Sequence, residues 1–178
     1  FLVDDELLNV MVELAEVTSQ DHVLEIGPGP GTLTQVLLET GATVTAIELD
    51  DGPVLHLDNV FSEQQNNGKL TLLHGDALLE QWPESITKIV ANIPYQISSP
   101  LIEKITKFNA LNETSLQSVV FMVQQEFAQR LTMAHPSDVG SLGMTVALDW
   151  NVEAHHVVAP HSFSPQPAVH SQVVSLHP

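Results

Sequence analysis

The residues best suited to chemistry stand together at Asn92-Ile93-Pro94-Tyr95, where the apolar run over 86–91 ends. An exocyclic amine on a nucleobase is a poor nucleophile because its lone pair is delocalised into the ring. Two neighbouring acceptors, the Asn92 amide oxygen and the Ile93 carbonyl, can each take one N–H of such an amine and draw it towards a tetrahedral, nucleophilic shape. Pro94 fixes the backbone and keeps that carbonyl aimed, and Tyr95 offers a ring on which a base can stack. By itself the tetrapeptide is equally compatible with a plain turn after a strand, since Asn and Pro are common turn formers. The rest of the chain decides between the two.

Gly27, Gly29 and Gly31 make a second group, in Glu25-Ile26-Gly27-Pro28-Gly29-Pro30-Gly31. A glycine turn between a strand and a helix lets backbone N–H groups and a helix N-terminus approach a ligand closely. Glu48 lies 21 residues after Gly27, near the interval of about 20 at which an acidic side chain closing the next strand meets ribose hydroxyls. The third glycine follows the second by two residues rather than three, and Glu25 stands two residues before the first. The pattern E-x-G-x-G-x-G suits S-adenosyl-L-methionine, which carries no pyrophosphate, better than a dinucleotide. Leu49 extends this candidate pocket beside Glu48. Asp76, with Ala77, follows the third strand, where a carboxylate can meet the adenine amino group of the cofactor. The competing role for Asp76 is to cap a short helical turn.

These groups need a scaffold, and the hydrophobic pattern supplies one. Strands are predicted over 22–26, 43–47, 69–73, 86–91 and 118–123. Helices are predicted over 4–17, with Asp4, Asp5 and Glu6 in its first turn, 32–40, 53–61, 99–108, from the end of the fifth strand to 131, and over 144–150, with 136–143 as a loop. Gly41 is placed to end the second helix. Strands alternating with helices imply a parallel sheet covered on both faces. The last forty residues change character, with strands over 152–158 and 172–176 joined by a proline-rich loop, hence an antiparallel pair.

A length of 178 residues with 43% hydrophobic content suits one domain with a sizeable core. No apolar run reaches the ~18 residues of a membrane span. The chain lacks cysteine, which excludes disulfides and thiolate chemistry. It begins at Phe1 and is expected to be a piece of something longer. Asp plus Glu total 22 against 5 for Lys plus Arg, so the net charge of −17 reflects missing cations. Taken alone, this argues against a nucleic-acid partner, because phosphate neutralisation supplies most non-specific affinity.

Taken in order, the motifs resemble the ribosomal RNA adenine dimethyltransferases of the small subunit. The resemblance runs through Phe1-Leu2-Val3-Asp4, the glycine loop, Ala46 to Asp50, Asn92-Ile93-Pro94-Tyr95-Gln96-Ile97-Ser98-Ser99-Pro100 in its archaeal and eukaryotic form, and Phe163-Ser164-Pro165-Gln166-Pro167-Ala168-Val169-His170-Ser171. It implies an α/β fold of class I S-adenosylmethionine-dependent methyltransferase (Rossmann-like) type, a mostly parallel seven-stranded sheet with a C-terminal antiparallel hairpin. It further implies one catalytic domain over 1–178, with the family's helical C-terminal domain starting about where the chain stops. The implied activity is N6 dimethylation of adenine in small-subunit rRNA by a cytoplasmic monomer, with no metal. Asn92, Ile93, Pro94, Tyr95 and Phe163 would act on the base, Phe163 stacking on the face opposite Tyr95. Leu2, Glu25, Gly27, Gly29, Gly31, Glu48, Leu49, Asp76, Ala77 and Asn92 would hold the cofactor.

The departures from the family lie where RNA is expected. Gln125, Ser141 and Ala168 occupy positions that are usually basic, and His170 replaces a usual Asp. Weak RNA binding is therefore expected. Lys104, Lys107 and Arg130 are the cations within reach of an RNA, and five of the nine histidines (His155, His156, His161, His170, His177) flank Phe163. Two rivals stand beside this reading. One is a cofactor-binding scaffold, engineered or otherwise non-catalytic. The other is a methyltransferase for a small molecule or a protein amide, which would not need two aromatic rings.

Overall fold

The computed structural model describes residues 2, 4–112 and 116–178. Five strands, β1 (His22–Ile26), β2 (Thr43–Glu48), β3 (Leu70–His74), β4 (Lys88–Asn92) and β5 (Ser118–Gln124), run parallel to one another. With β6 (Asn151–Val158) and β7 (Ser171–His177) they form one sheet of order β3-β2-β1-β4-β5-β7-β6. β7 is antiparallel to both β5 and β6. The terminal hairpin therefore enters the sheet through its second strand and leaves β6 on the edge. From β1 the chain builds outward to β2 and β3, then returns to place β4 on the other side of β1. That reversal opens a crevice at the carboxyl ends of β1 and β4, the usual ligand position of open α/β sheets.

Alternation along the strands sends side chains to two separate cores. Val23, Val44, Val90, Val120 and Met122 meet α1 (Asp5–Leu14), α2 (Thr32–Glu39) and α3 (Asp51–Val60). Leu24, Ile26, Ile89, Phe121 and Val123 meet α5 (Ser98–Leu111), α6 (Gln125–Thr132) and α7 (Ser141–Asp149). With both faces covered, the central strands carry continuous apolar runs instead of alternating polar residues. Trp150 and Met122 belong to these cores.

Local chemistry sets the element ends. Asp4 caps α1 by accepting the Leu7 N–H at 3.2 Å, and Gly41 leaves α2 at φ +86°. The short helix α4 (Ser62–Asn66) was not foreseen, because its sequence SEQQN has no apolar period. α7 starts at Ser141, three residues earlier than expected. A 3₁₀ turn over Pro136–Asp138, ahead of it, ends the irregular stretch sooner. At the amino edge of the sheet Lys88 is buried against Asp21 at 3.3 Å and also donates to the Glu16 carbonyl. Burial alone would raise the Asp21 pKa. Hydrogen bonds from Thr18 and Thr87, with the Lys88 charge, outweigh it and hold the carboxyl below its ordinary value.

Candidate active site

The glycine turn closes β1 in a form that only glycine adopts readily: Gly27, Gly29 and Gly31 all have positive φ, at +69°, +55° and +91°. The Gly27 N–H donates to the Ile47 carbonyl at 2.9 Å and the Gly31 N–H to the Pro28 carbonyl at 3.0 Å, so the turn is held to β2 and to itself. A Cβ on Gly27 would lie 3.6 Å from Pro94 Cδ, and one on Gly31 would lie 2.7 Å from Phe61 Cε2. The first contact seats the glycine turn directly on the Asn92–Tyr95 stretch. The second seats it on the helix after β2.

Asn92 is the last residue of β4, and the chain then leaves the sheet. The Ile93 N–H donates to the Met122 carbonyl at 3.2 Å, and the Ile93 side chain is buried. The Pro94 carbonyl accepts the Ile97 N–H at 3.2 Å within a 3₁₀ turn, Tyr95–Ile97, that leads into α5. The acceptors are thus carried by a backbone fixed on both sides. Tyr95 is half-buried, and its hydroxyl meets Ser171 Oγ at 2.6 Å. Phe163 sits on the loop between β6 and β7 and makes an antiparallel bridge with Leu2.

These pieces converge on an open cleft of about 560 Å³. Gly27, Glu48 and Asp50 line it together with Asn92 to Gln96 and with Phe163, Pro165 and Pro167. Glu25 is not in this cleft. It borders a much smaller cavity, about 20 Å³, together with Leu2, Gly27, Pro30 and Asn92. Its carboxyl accepts the Thr34 hydroxyl at 2.6 Å. Burial, followed by the nearby Glu48 charge, pushes the Glu25 pKa up to about 8 against the opposing effect of Thr34.

Not every residue picked from the sequence joins this centre. The Asp76 carboxylate accepts the Leu78 N–H at 2.9 Å, the capping role weighed above. Neither Asp76 nor Ala77 is among the residues lining the cleft. The Ala77 carbonyl takes Trp82 Nε1 at 3.0 Å and Lys104 Nζ at 2.8 Å. Leu49 is 63% exposed, and its carbonyl accepts His74 Nε2 at 3.2 Å. Lys104, expected to be in reach of RNA, is committed to the protein instead. It donates to the carbonyls of Ala77 and Glu80 at 2.8 and 2.5 Å and lies 4.7 Å from the centre of the Trp82 ring. Burial lowers its pKa against the pull of Asp76 and Glu80. His155 is likewise engaged, with Ser175 Oγ at 2.6 Å. Asp50, Gln96, Pro165, Pro167, Thr34 and Ser171 are the residues that sequence reasoning missed. The first four, and Ser171, stand inside the quoted motifs, but none of them was assigned a role there. Thr34 gave no signal, and the contacts of Thr34 and Ser171, which span 9 and 76 residues, left none in the local pattern.

The profile of the family described as "Ribosomal RNA adenine dimethylase" matches residues 1–178. A similar curated protein is "Ribosomal RNA small subunit methyltransferase A" of Clostridium acetobutylicum, 40% identical over 184 residues, covering 99% of this chain and 63% of that protein. Among solved structures, a dimethyladenosine transferase from Plasmodium falciparum superposes with a TM-score of 0.89 at 33% identity, over 100% of this chain and 63% of its own. The 23S rRNA methyltransferase ErmE superposes with a TM-score of 0.84 at 27% identity, over 99% of this chain and 69% of its own. The chain thus spans less than two thirds of the length of the curated relative.

Proposed function

Because the chain belongs to the ribosomal RNA adenine dimethylase family, we propose that it is the catalytic domain of an enzyme that methylates adenine N6 in small-subunit rRNA, using S-adenosyl-L-methionine. The observation that carries this reading is that Asn92, Tyr95 and Phe163 line one cleft with Gly27 and Glu48. An amide acceptor, two aromatic rings and a glycine turn with an acidic neighbour are what a planar amine and a nucleoside cofactor require.

The residues present fit the cofactor. The missing Cβ of Gly27 leaves room against Pro94, and Glu48 presents a buried carboxylate at the cleft. Glu48 would take the ribose hydroxyls, the backbone of Gly27, Gly29 and Gly31 would follow the chain of the methionine, and Leu2 and Glu25 would close its inner end. Leu49, Asp76 and Ala77, which lie outside the lining of the cleft, would meet the adenine only where it projects past that lining. When bound, S-adenosylmethionine supplies an electrophilic methyl group on a sulfonium centre. Asn92 Oδ1 and the Ile93 carbonyl would accept the two N–H groups of the target amine and so shape its lone pair. Tyr95 and Phe163 would hold an unpaired adenine between their rings, as single-stranded RNA recognition requires. Catalysis would come from positioning and electrostatics rather than from a strong base.

The partner would be small-subunit rRNA, bound weakly by this chain, which would act as a monomer in the cytoplasm. Among the described residues no helix is long and apolar enough to cross a membrane. The test is transfer of a labelled methyl group to an adenine-containing fragment of small-subunit rRNA, run beside a glutamine peptide. Label in the RNA adenine supports the proposal. Label in the peptide supports an amide methyltransferase, and label in neither supports a non-catalytic scaffold.

A further inference from the structure

Tyr95 is anchored at both ends. Its Cα end leaves the rigid Pro94, and its phenol meets Ser171 Oγ at 2.6 Å. Ser171 is wholly buried and opens β7, where it pairs with Gln124 of β5 on one side and Val158 of β6 on the other. Just before it, the His170 carbonyl accepts the Gln125 N–H at 3.0 Å. The serine hydroxyl is therefore fixed to the sheet from two directions, whereas Tyr95 stands on a single 3₁₀ turn beyond β4. The chain that enters Ser171 is the proline loop carrying Phe163, which Leu2 clamps from the other side. One buried hydroxyl thus links Tyr95 to the strand that follows the Phe163 loop, 76 residues on in sequence.

We propose that Ser171 is a positioning residue that sets the tilt of the Tyr95 ring and with it the gap between Tyr95 and Phe163. The proposal rests on the rRNA adenine methyltransferase reading for its consequence, and on geometry alone for the contact. A ring tethered only at Cβ can swing about two side-chain torsions. A hydrogen bond at the para position removes that freedom at the edge farthest from the backbone. A small misplacement of a reacting group costs rate far more than it costs binding, up to about 10²-fold for ~1 Å. Loss of the tether should therefore lower the rate of methyl transfer while sparing cofactor affinity.

Tyr95 is the only tyrosine of the chain, so ring-labelled tyrosine gives an NMR spectrum of this one side chain. Ser171→Ala is expected to shift those ring signals, to leave S-adenosylmethionine affinity within about twofold, and to slow single-turnover methylation of the rRNA fragment by roughly 10- to 100-fold. Tyr95→Phe, which keeps the ring and loses the hydroxyl, is expected to slow the reaction to a similar degree. The double variant should be no slower than either single one, because both remove the same contact. Ser171→Thr, which keeps a hydroxyl, should recover most of the rate. Unchanged ring signals in Ser171→Ala, a wild-type rate in Tyr95→Phe, or losses that add in the double variant would each overturn the proposal. If Ser171→Ala does not fold, the rates of Tyr95→Phe and Ser171→Thr decide it. If the wild type transfers no methyl group to RNA, the substrate reading fails on its own, and the ring signals still show whether Ser171 holds Tyr95.

Discussion

Glu48 Oε2 accepts the backbone N–H of Gly29 at 3.1 Å, which joins the acidic end of β2 to the middle of the glycine turn after β1. Its other oxygen takes the Asp50 N–H at 3.2 Å. The carboxylate thus has a structural task as well as the proposed one at the ribose, and its removal should act on both. Glu48→Ala is expected to weaken S-adenosylmethionine binding more than tenfold, since charge-assisted hydrogen bonds contribute about 1.5–3 kcal/mol each. Glu48→Gln keeps one acceptor oxygen and should lie between. Titration calorimetry on the three proteins orders them. Equal affinities would remove Glu48 from the cofactor site.

Glu25 predicts a pH effect on stability. Its folded pKa of about 8 stands above the ordinary 4.5, so between those values the folded chain keeps a proton that the unfolded chain has released. Stability from this group is then complete below about pH 4.5 and is lost as pH rises through about 8, at up to about 1.4 kcal/mol per pH unit. Glu25→Gln imitates the protonated side chain and can still accept the Thr34 hydroxyl. Urea midpoints of the two proteins should be closest near pH 4.5, with the variant the more stable by a few kcal/mol at pH 8.5. Parallel curves across that range would mean that Glu25 is ionised in the folded chain.

Gly31 and Gly68 separate backbone strain from crowding. Both have positive φ, +91° and +78°. A Cβ on Gly31 would meet Phe61 and Leu57 at 2.7 and 2.8 Å, and one on Gly68 meets nothing within 4 Å. Gly68→Ala should cost about 1–2 kcal/mol from conformation alone. Gly31→Ala should cost a further ~1–3 kcal/mol, since Phe61 and Leu57 are packed and must move. Chemical denaturation of both variants measures the difference. Equal losses would show that α3 yields freely.

How much of this was legible in the chain follows from the range of each signal. The central parallel strands were readable because both their faces are buried and their apolar runs are continuous, as in Ile89-Val90-Ala91, whereas β3, at the edge, is only partly buried. The Asn92–Tyr95 and glycine stretches stood out because their residues are contiguous. The Ser171 hydroxyl on Tyr95 was not, because a cross-sheet contact leaves no local period. The commitment of Lys104 to the carbonyls of Ala77 and Glu80 was hidden for the same reason: one turn of α5 looks the same whether its lysine faces solvent or a neighbouring loop. The place of β7 between β5 and β6 was also beyond pattern, since a hairpin can join a sheet through either strand.

Asn92→Ala should divide binding from chemistry. Although Asn92 also borders the cavity beside Glu25, its side-chain amide is proposed to meet the incoming base, so Asn92→Ala should leave cofactor affinity within a few-fold. It should lower single-turnover methylation by about 10²-fold or more, the usual effect of removing a positioned polar group. Rapid-quench measurement with labelled cofactor reads both numbers on one preparation. A variant as fast as the wild type would reduce Asn92 to a turn residue.

The placement of the five cations sets how RNA binding responds to salt. Of the five cations, Lys88 is buried against Asp21 and Lys104 is spent on two carbonyls. Lys69 donates to the Gly41 carbonyl at 2.9 Å, just ahead of β3 and so at the edge of the sheet away from the cleft. Lys107 and Arg130 remain exposed on α5 and α6, the latter 5.4 Å from the centre of the Phe127 ring. Each phosphate neutralised on a single strand contributes about −0.7 to the slope of log affinity against log salt, so two cations allow no slope steeper than about −1.4. The net charge of −17 acts in the opposite sense. Its repulsion of phosphate is relieved as the Debye length falls from about 10 Å at 0.1 M to about 3 Å at 1 M. Affinity of this chain for the rRNA fragment should therefore be weak at low salt and stay flat or rise with added potassium chloride. Magnesium, which can bridge carboxylates to phosphates, should help more than potassium at equal ionic strength. Fluorescence anisotropy across a salt series measures the slope directly. Tight binding at about 50 mM that is lost by about 200 mM, the behaviour of a protein with many phosphate contacts, would contradict the placement of these lysines.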